Sequence, residues 1–369
     1  MIVEENQRKP SLFGLSNSNR DFLQKDSWGK NQFNSSFPAS LACYMHSIQV
    51  QPVYLKLNSS LNIIQEQITV TELFGEVPLS EKLFFAFESD YLPYRKIVIG
   101  KLPRVDLVTQ DIKTNKDSCL KSLEIKLTAL PDNSTYRLSD DRYGCEIVVR
   151  PDTIVYLALS IADKLQHNKE TILEYLDPVF QTIDNLTSIR SVLPKISEIV
   201  VSMDNLLLNY LDIQSPLVMQ PVWKTVGKTS KLFTNCLDMF IWSDFAFTRL
   251  FFDVAKKAAK NAETITRSTR SVVWLAKMLY DFASNGKINH QFIIDNYTYN
   301  TKNDKAFAIN GIGTYGYMKS PQLINPRIKK EEIKNIILGG GQNYLSPERR
   351  FDGIILSNPE IFDESLKYI

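Results

Sequence analysis

The chain has 369 residues and a mass of 42.3 kDa, with 44% hydrophobic and 23% charged residues; these are globular proportions, with length enough for a sizeable core. A formal charge of +2 and a pI near 8.1 neither require nor exclude a polyanionic partner, because a local basic cleft coexists with a balanced total. Four cysteines without a C-x-x-C pair (Cys43, Cys119, Cys145, Cys236) and three histidines (His46, His167, His290) argue against a zinc site or a disulfide scaffold and fit a reducing cytoplasm.

Met1 to Pro10 is charged and lacks an apolar signal core, so a cytoplasmic location is expected. Residues 1–38 read as a polar, irregular segment. The run Ala39–Met45 reads as helix, Val53–Leu57 as strand, and Leu83–Phe87 as a strand ending in Glu88-Ser89-Asp90. Ile97-Val98-Ile99, Val105–Val108 and Ser122–Leu127 also carry a strand pattern, followed by Glu146–Val149. Pro151-Asp152-Thr153 starts a helix that runs to Leu165.

From there to about Phe292 the pattern is mainly helical, with breaks near Asp177-Pro178, Leu193-Pro194 and Ser215-Pro216. Leu237–Val254 reads as a buried helix; Asp238, Asp244, Arg249 and Asp253 are too many charges for a membrane span. The expected organisation is therefore a β-rich core over residues 39–166, a helical region over 167–295 and a Gly- and Asn-rich irregular segment over 296–369.

The chemistry concentrates at Asp106 and Glu124-Ile125-Lys126. Two carboxylates can hold a divalent cation against a phosphate, and a lysine beside them can orient water and offset developing charge. Apolar Leu123, Ile125 and Leu127 alternate with Glu124 and Lys126, which places the two charged residues on one face. The stretch Thr109–Lys121 is polar and reads as a turn. A hairpin symmetric about Asn115 pairs residues whose numbers sum to that of Asp106 plus Glu124, so these two acids face each other with Cβ atoms about 5 Å apart. The competing explanation is an exposed hairpin face with an ordinary Glu–Lys pair. Glu88 or Asp90 is the candidate third carboxylate.

Other patterns carry less. Asp132 with Glu146 offers Val148 where a lysine is wanted. The glycines of Gly311–Gly316 are followed by prolines, and Gly339-Gly340-Gly341 lacks the Gly-Lys-Ser/Thr ending of a phosphate loop, so nucleotide use has no support. Lys224, Lys228 and Lys231 stand at helical spacing, and Lys256, Lys257, Lys260, Arg267 and Arg270 follow; such rows are usually solvated helix faces.

Several segments resemble HindVP-type type II restriction endonucleases: Asn19-Arg20-Asp21, Trp28–Pro38, Glu88–Tyr91, Leu102–Val108, Leu123–Thr135 and Cys145–Thr153. The likeness covers Pro10 to at least Leu165. It implies an α/β (α+β) fold with a PD-(D/E)XK restriction-endonuclease-like core, a mixed central sheet flanked by helices, and a helical C-terminal extension. It also implies Mg²⁺-dependent cleavage of both strands of a short palindromic DNA site, GRCGYC, beside a cognate DNA methyltransferase acting on the same site.

By position, Asp106 matches the first acid, Glu124 the second and Lys126 the lysine, with the Ile125 carbonyl as a further metal ligand. Pro103 lies three residues ahead of Asp106 instead of directly before it, a departure that leaves the ligands intact. A palindromic target is met most simply by a homodimer. Candidates for reading or gripping double-stranded DNA are Lys30, Asn31, Arg104, Arg137, Arg142 and Arg150. Two alternatives from other classes are a structure-selective or repair nuclease with the same metal site, and a non-catalytic DNA-binding protein.

Overall fold

The computed structural model describes residues 38–39, 41–76, 83–111, 118–126, 147–221, 224–226, 229–231, 238–260, 263–309, 320–329 and 332. In chain order, helix α1 (residues 41–47) precedes β1 (Val53–Leu57), β2 (Ile63–Gln67) and α2 (Val70–Phe74). Strands β3 (Leu83–Asp90), β4 (Arg104–Asp111), β5 (Cys119–Ile125) and β6 (Ile147–Val149) follow. The chain then forms α3 (Pro151–Lys164), α4 (Lys169–Phe180), α5 (Ile189–Val192) and α6 (Ile196–Leu208).

It returns to the sheet as β7 (Pro216–Pro221), makes a ribbon of β8 (Lys224–Val226) and β9 (Thr229–Lys231), and re-enters as β10 (Met239–Ser243). Helices α7 (Asp244–Ala259), α8 (Arg267–Asn285) and α9 (His290–Asn296), strand β11 (Phe307–Ile309) and helix α10 (Pro321–Ile324) complete the described chain.

Seven strands form one sheet in the order β2-β1-β10-β7-β5-β4-β3. The β1–β10 and β5–β7 pairs are parallel and the others antiparallel. This is a mixed sheet with helices packed on it, as the resemblance implied. One face carries Val53, Leu55, Val218, Phe240 and Trp242 and is buried in a large core with α3, α4 and α6 to α8. The other carries Tyr54, Leu107, Leu123, Ile125, Met219 and Ile241 and is covered by α1 and α2.

The segment read as helical supplies two central strands. All five residues of β10 are buried, as are Leu217 to Pro221 of β7. A strand covered on both faces loses its two-residue alternation and reads as a continuous apolar run, which periodicity cannot tell from a buried helix. The supposed single helix over Leu237–Val254 is therefore strand, then helix. Ser243 marks the switch: its hydroxyl accepts the Ala246 N–H at 3.0 Å, an N-cap that lets α7 begin at once.

Three further readings are corrected. Ile97–Ile99 is not a strand; Ile97 and Val98 are buried anchors, the Ile97 N–H closes the preceding turn onto Tyr94 O at 3.0 Å, and the segment makes a single bridge to Ile288 (Ile99 N to Ile288 O, 2.9 Å; Ile288 N to Ile97 O, 2.7 Å). Lys224 and Lys231 are not on a helix but are register partners across the β8–β9 ribbon, where a seven-residue separation spans a hairpin as well as it spans two helical turns. The expected break at Asp177-Pro178 falls inside α4, which runs on to Phe180 before stopping. The break at Leu193-Pro194 is present as a short 3₁₀ turn between α5 and α6.

Candidate active site

The β4–β5 hairpin has the register read from its symmetry: Leu107 pairs with Leu123, Val108 with Ser122 and Thr109 with Lys121. Both strands run further into the polar stretch than the sequence suggests, with a bulge between Thr109 and Gln110. Polar residues close to a hairpin end pair as readily as apolar ones when one face is solvated.

One step beyond the Leu107–Leu123 pair, Asp106 stands level with Glu124. There the backbone ladder gives way to a side chain: the Ile125 N–H donates to Asp106 Oδ2 at 2.7 Å. The N–H and carbonyl of a strand residue point to the same side, so the Ile125 carbonyl opens toward Asp106 as well.

On the other edge, β5 lies parallel to β7 with Glu124 opposite Val218 and Ile125 opposite Met219, and the Lys126 N–H donates to Met219 O at 2.8 Å. Lys126 is thus pinned by its backbone next to a central strand, and its ammonium forms an ion pair with Glu124 Oε1. The same Oε1 accepts the Thr153 hydroxyl at 3.2 Å. Thr153 comes from the first turn of α3, which starts where it does because Pro151 occupies the first helical position. Buried Tyr156 follows three residues later, on the same side of the helix.

The electrostatics follow from crowding. Two carboxylates level on neighbouring strands repel each other in a site shielded from water, and Glu124 is only 6% exposed. Asp106 is accordingly pushed up to about 8, by burial first and the Glu124 charge second, with Lys126 and the Ile125 N–H pulling the other way. Burial works against the Lys126 ammonium, but Glu124 and Asp106 outweigh it and hold the group above the ordinary lysine range. Burial, then Glu124, Asp106 and Asp152, raise the Tyr156 hydroxyl.

The structure thus brings Asp106, Glu124, Ile125 and Lys126 together. Glu88 lies level with Asp106 on β3, flanked by the Phe87–Leu107 and Ser89–Val105 pairs, but with a left-handed φ of 48°. Asp90 is exposed and pairs with Arg104. Among the described residues no three His, Cys, Asp or Glu side chains converge, so neither acid completes a three-carboxylate cluster. Exposed Arg104 begins β4 two residues before Asp106, and exposed Arg150 caps α3, so both flank the site.

Lys30, Asn31, Arg137 and Arg142 lie outside the described residues, as do Asp132, Glu146 and both glycine runs. Arg270 turns inward instead of lining a basic face: it is fully buried, its guanidinium donates to Thr301 O, Lys302 O and Lys305 O, and it stacks 4.3 Å from the Trp274 ring centre.

Sequence reasoning missed Thr153, Tyr156 and Gln220. The first two were read only as a helix start and its continuation. Gln220, the one amide in an apolar strand, continues the register to the level of Lys126; it accepts the Trp242 indole N–H at 2.8 Å. A polar residue inside Leu217–Pro221 was the available signal.

Two acids and a lysine on adjoining interior strands of a mixed sheet suit phosphodiester cleavage, and the chain's relatives are restriction endonucleases. It is 48% identical over 365 residues to type II restriction enzyme HgiDI of Herpetosiphon aurantiacus, covering 98% of this chain and 99% of that protein. It is 44% identical over 356 residues to probable type II restriction enzyme HindVP of Haemophilus influenzae, covering 96% and 95%. Residues 28–362 match the HindVP restriction endonuclease family, and the chain belongs to that family. No solved structure matches it significantly. No helix among the described residues is long and apolar enough to cross a membrane.

Proposed function

We propose that this restriction endonuclease hydrolyses one phosphodiester bond in each strand of a short palindromic DNA site, with Mg²⁺ held by Asp106, Glu124 and the Ile125 carbonyl. The observation that carries the reading is the shared register: one hairpin sets Asp106 level with Glu124, and Lys126 reaches the same carboxylate. The donor set fits the ion. It is all oxygen, as Mg²⁺ prefers, and its two acids are so crowded that burial and mutual repulsion keep Asp106 up at about 8, a cost that a divalent cation removes.

Bound there, Mg²⁺ supplies Lewis acidity toward phosphate oxygens and acidifies water. Asp106 and Glu124 position the cation. The Lys126 ammonium orients the attacking water and offsets charge on the pentavalent phosphate. Arg104 and Arg150 grip the DNA beside the site, and a two-fold homodimer presents one site to each strand. GRCGYC, implied by the family resemblance, is the target to test first, with a methyltransferase of the same specificity protecting host DNA.

Incubating the purified protein with a long duplex and Mg²⁺ tests this. Discrete fragments that vanish with a chelator are expected. Cutting confined to branched or damaged DNA indicates a repair nuclease, and intact DNA under conditions of good binding sinks the nuclease reading.

A further inference from the structure

Glu124 Oε1 accepts two donors, the Lys126 ammonium and the Thr153 hydroxyl. Thr153 is wholly buried. Its own N–H is satisfied by Arg150 O at 3.1 Å, and its hydroxyl is committed to a carboxylate on a different element. A buried helical threonine ordinarily bonds back to its own helix; this one reaches across to the site.

The helix that carries it is also fixed in rotation. Ser160, seven residues on and so on the same side of α3, donates to Asp244 Oδ2 at 2.9 Å. Asp244 Oδ1 in turn accepts the N–H groups of Ser215 at 3.1 Å and Phe245 at 2.9 Å. One stripe of α3 is therefore tied at two points, Thr153 to β5 and Ser160 to the corner between β10 and α7.

We infer that Thr153 is a positioning residue: its hydroxyl holds Oε1 of Glu124 against Lys126 and α3, and so leaves Oε2 as the oxygen that takes the cation. This rests on the metal role proposed for Glu124. A carboxylate free to rotate must be ordered on binding, whereas a held one is already ordered. Thr153 touches no reacting atom, so its loss falls on metal affinity and not on the limiting rate.

The test compares full-length wild type with Thr153→Val, Thr153→Ser and Glu124→Gln. Mn²⁺ binding is measured by calorimetry, and single-turnover cleavage is followed across a Mg²⁺ titration. Thr153→Val is expected to weaken Mn²⁺ binding about tenfold and to raise the Mg²⁺ midpoint by a similar factor. The rate at saturating metal stays within about twofold of wild type, and Thr153→Ser restores both quantities to within about twofold. If Thr153→Val fails to fold by thermal unfolding, Thr153→Ala removes the hydroxyl without adding bulk and reads the same quantity. Unchanged Mn²⁺ affinity in the valine variant, with Glu124→Gln abolishing binding, overturns the inference and spares the role of Glu124. Wild-type Mn²⁺ affinity in Glu124→Gln overturns both.

Discussion

The β4–β5 hairpin and the β7–β10 pair are both antiparallel and adjoin through the β5–β7 ladder, yet they treat an acid in opposite ways. Asp244, directly after β10, receives three neutral donors: the N–H groups of Ser215 and Phe245 and the Ser160 hydroxyl. Burial still raises it to about 6, but those bonds pull it back. Asp106 has one backbone donor and faces a second carboxylate. The first acid is settled by its surroundings and serves as a joint; the second is left short of positive charge, which is what its proposed role as a cation ligand calls for.

The sharpest way to break the contrast is to remove the charge at the hairpin. Asp106→Ala and Lys126→Ala are each expected to lower the cleavage rate at least about 10³-fold, roughly 4 kcal/mol of barrier, while DNA binding measured without metal persists. Plasmid cleavage under single-turnover conditions reads it. Retained cutting in both variants moves the chemistry elsewhere, to Asp132 and Glu146 first.

The β7–β10 pair should respond in stability instead. Trp242 is fully buried and donates to Gln220 across the pair. Trp242→Ala is expected to cost about 3 kcal/mol or more in urea unfolding, with the catalytic rate per folded molecule preserved. A loss well under that value would show that β10 is not central to the core.

The two acids also divide the pH axis. Each has a folded-state value above its unfolded one, so the folded state binds more protons and stability falls as pH rises between the two values. For Asp244 that window is about pH 4 to 6 and the loss is about 3 kcal/mol; for Asp106 in metal-free protein it extends to about pH 8. Asp244→Asn should flatten the lower part of the stability profile and Asp106→Asn the upper part, each relative to wild type. Identical profiles in all three proteins would remove the electrostatic contrast.

The smallest effect expected lies behind the site. The Thr109 hydroxyl donates to Phe74 O at 2.9 Å, closing the end of α2, and accepts the Lys121 N–H. Thr109→Val should cost about 1 kcal/mol, read by thermal unfolding, and leave the metal requirement unchanged.

The same contrast explains what could be read in advance. At the hairpin one face is apolar and the other polar, so Leu123, Ile125 and Leu107 mark the register and place Asp106 level with Glu124. In β7 and β10 both faces are covered, and Leu217-Val218-Met219 and Met239–Trp242 look the same whether strand or helix. Gln220 was the interruption that hinted otherwise. Thr153 lay beyond any local pattern, because its partner Glu124 is in another element and nothing between them fixes how α3 crosses β5.

By itself, then, the amino-acid sequence determined the local alternation of the β4 and β5 strands, the hairpin register, the start of α3 at Pro151 and the resemblance to a restriction endonuclease family. These depend on short-range geometry and on residue types that the sequence displays. Only the tertiary structure decided that β7 lies beside β5, that β10 precedes α7, that Arg270 turns inward and that Thr153 reaches Glu124. Those depend on which apolar surfaces bury each other across long separations, and burial on both sides erases the periodicity from which the sequence is read.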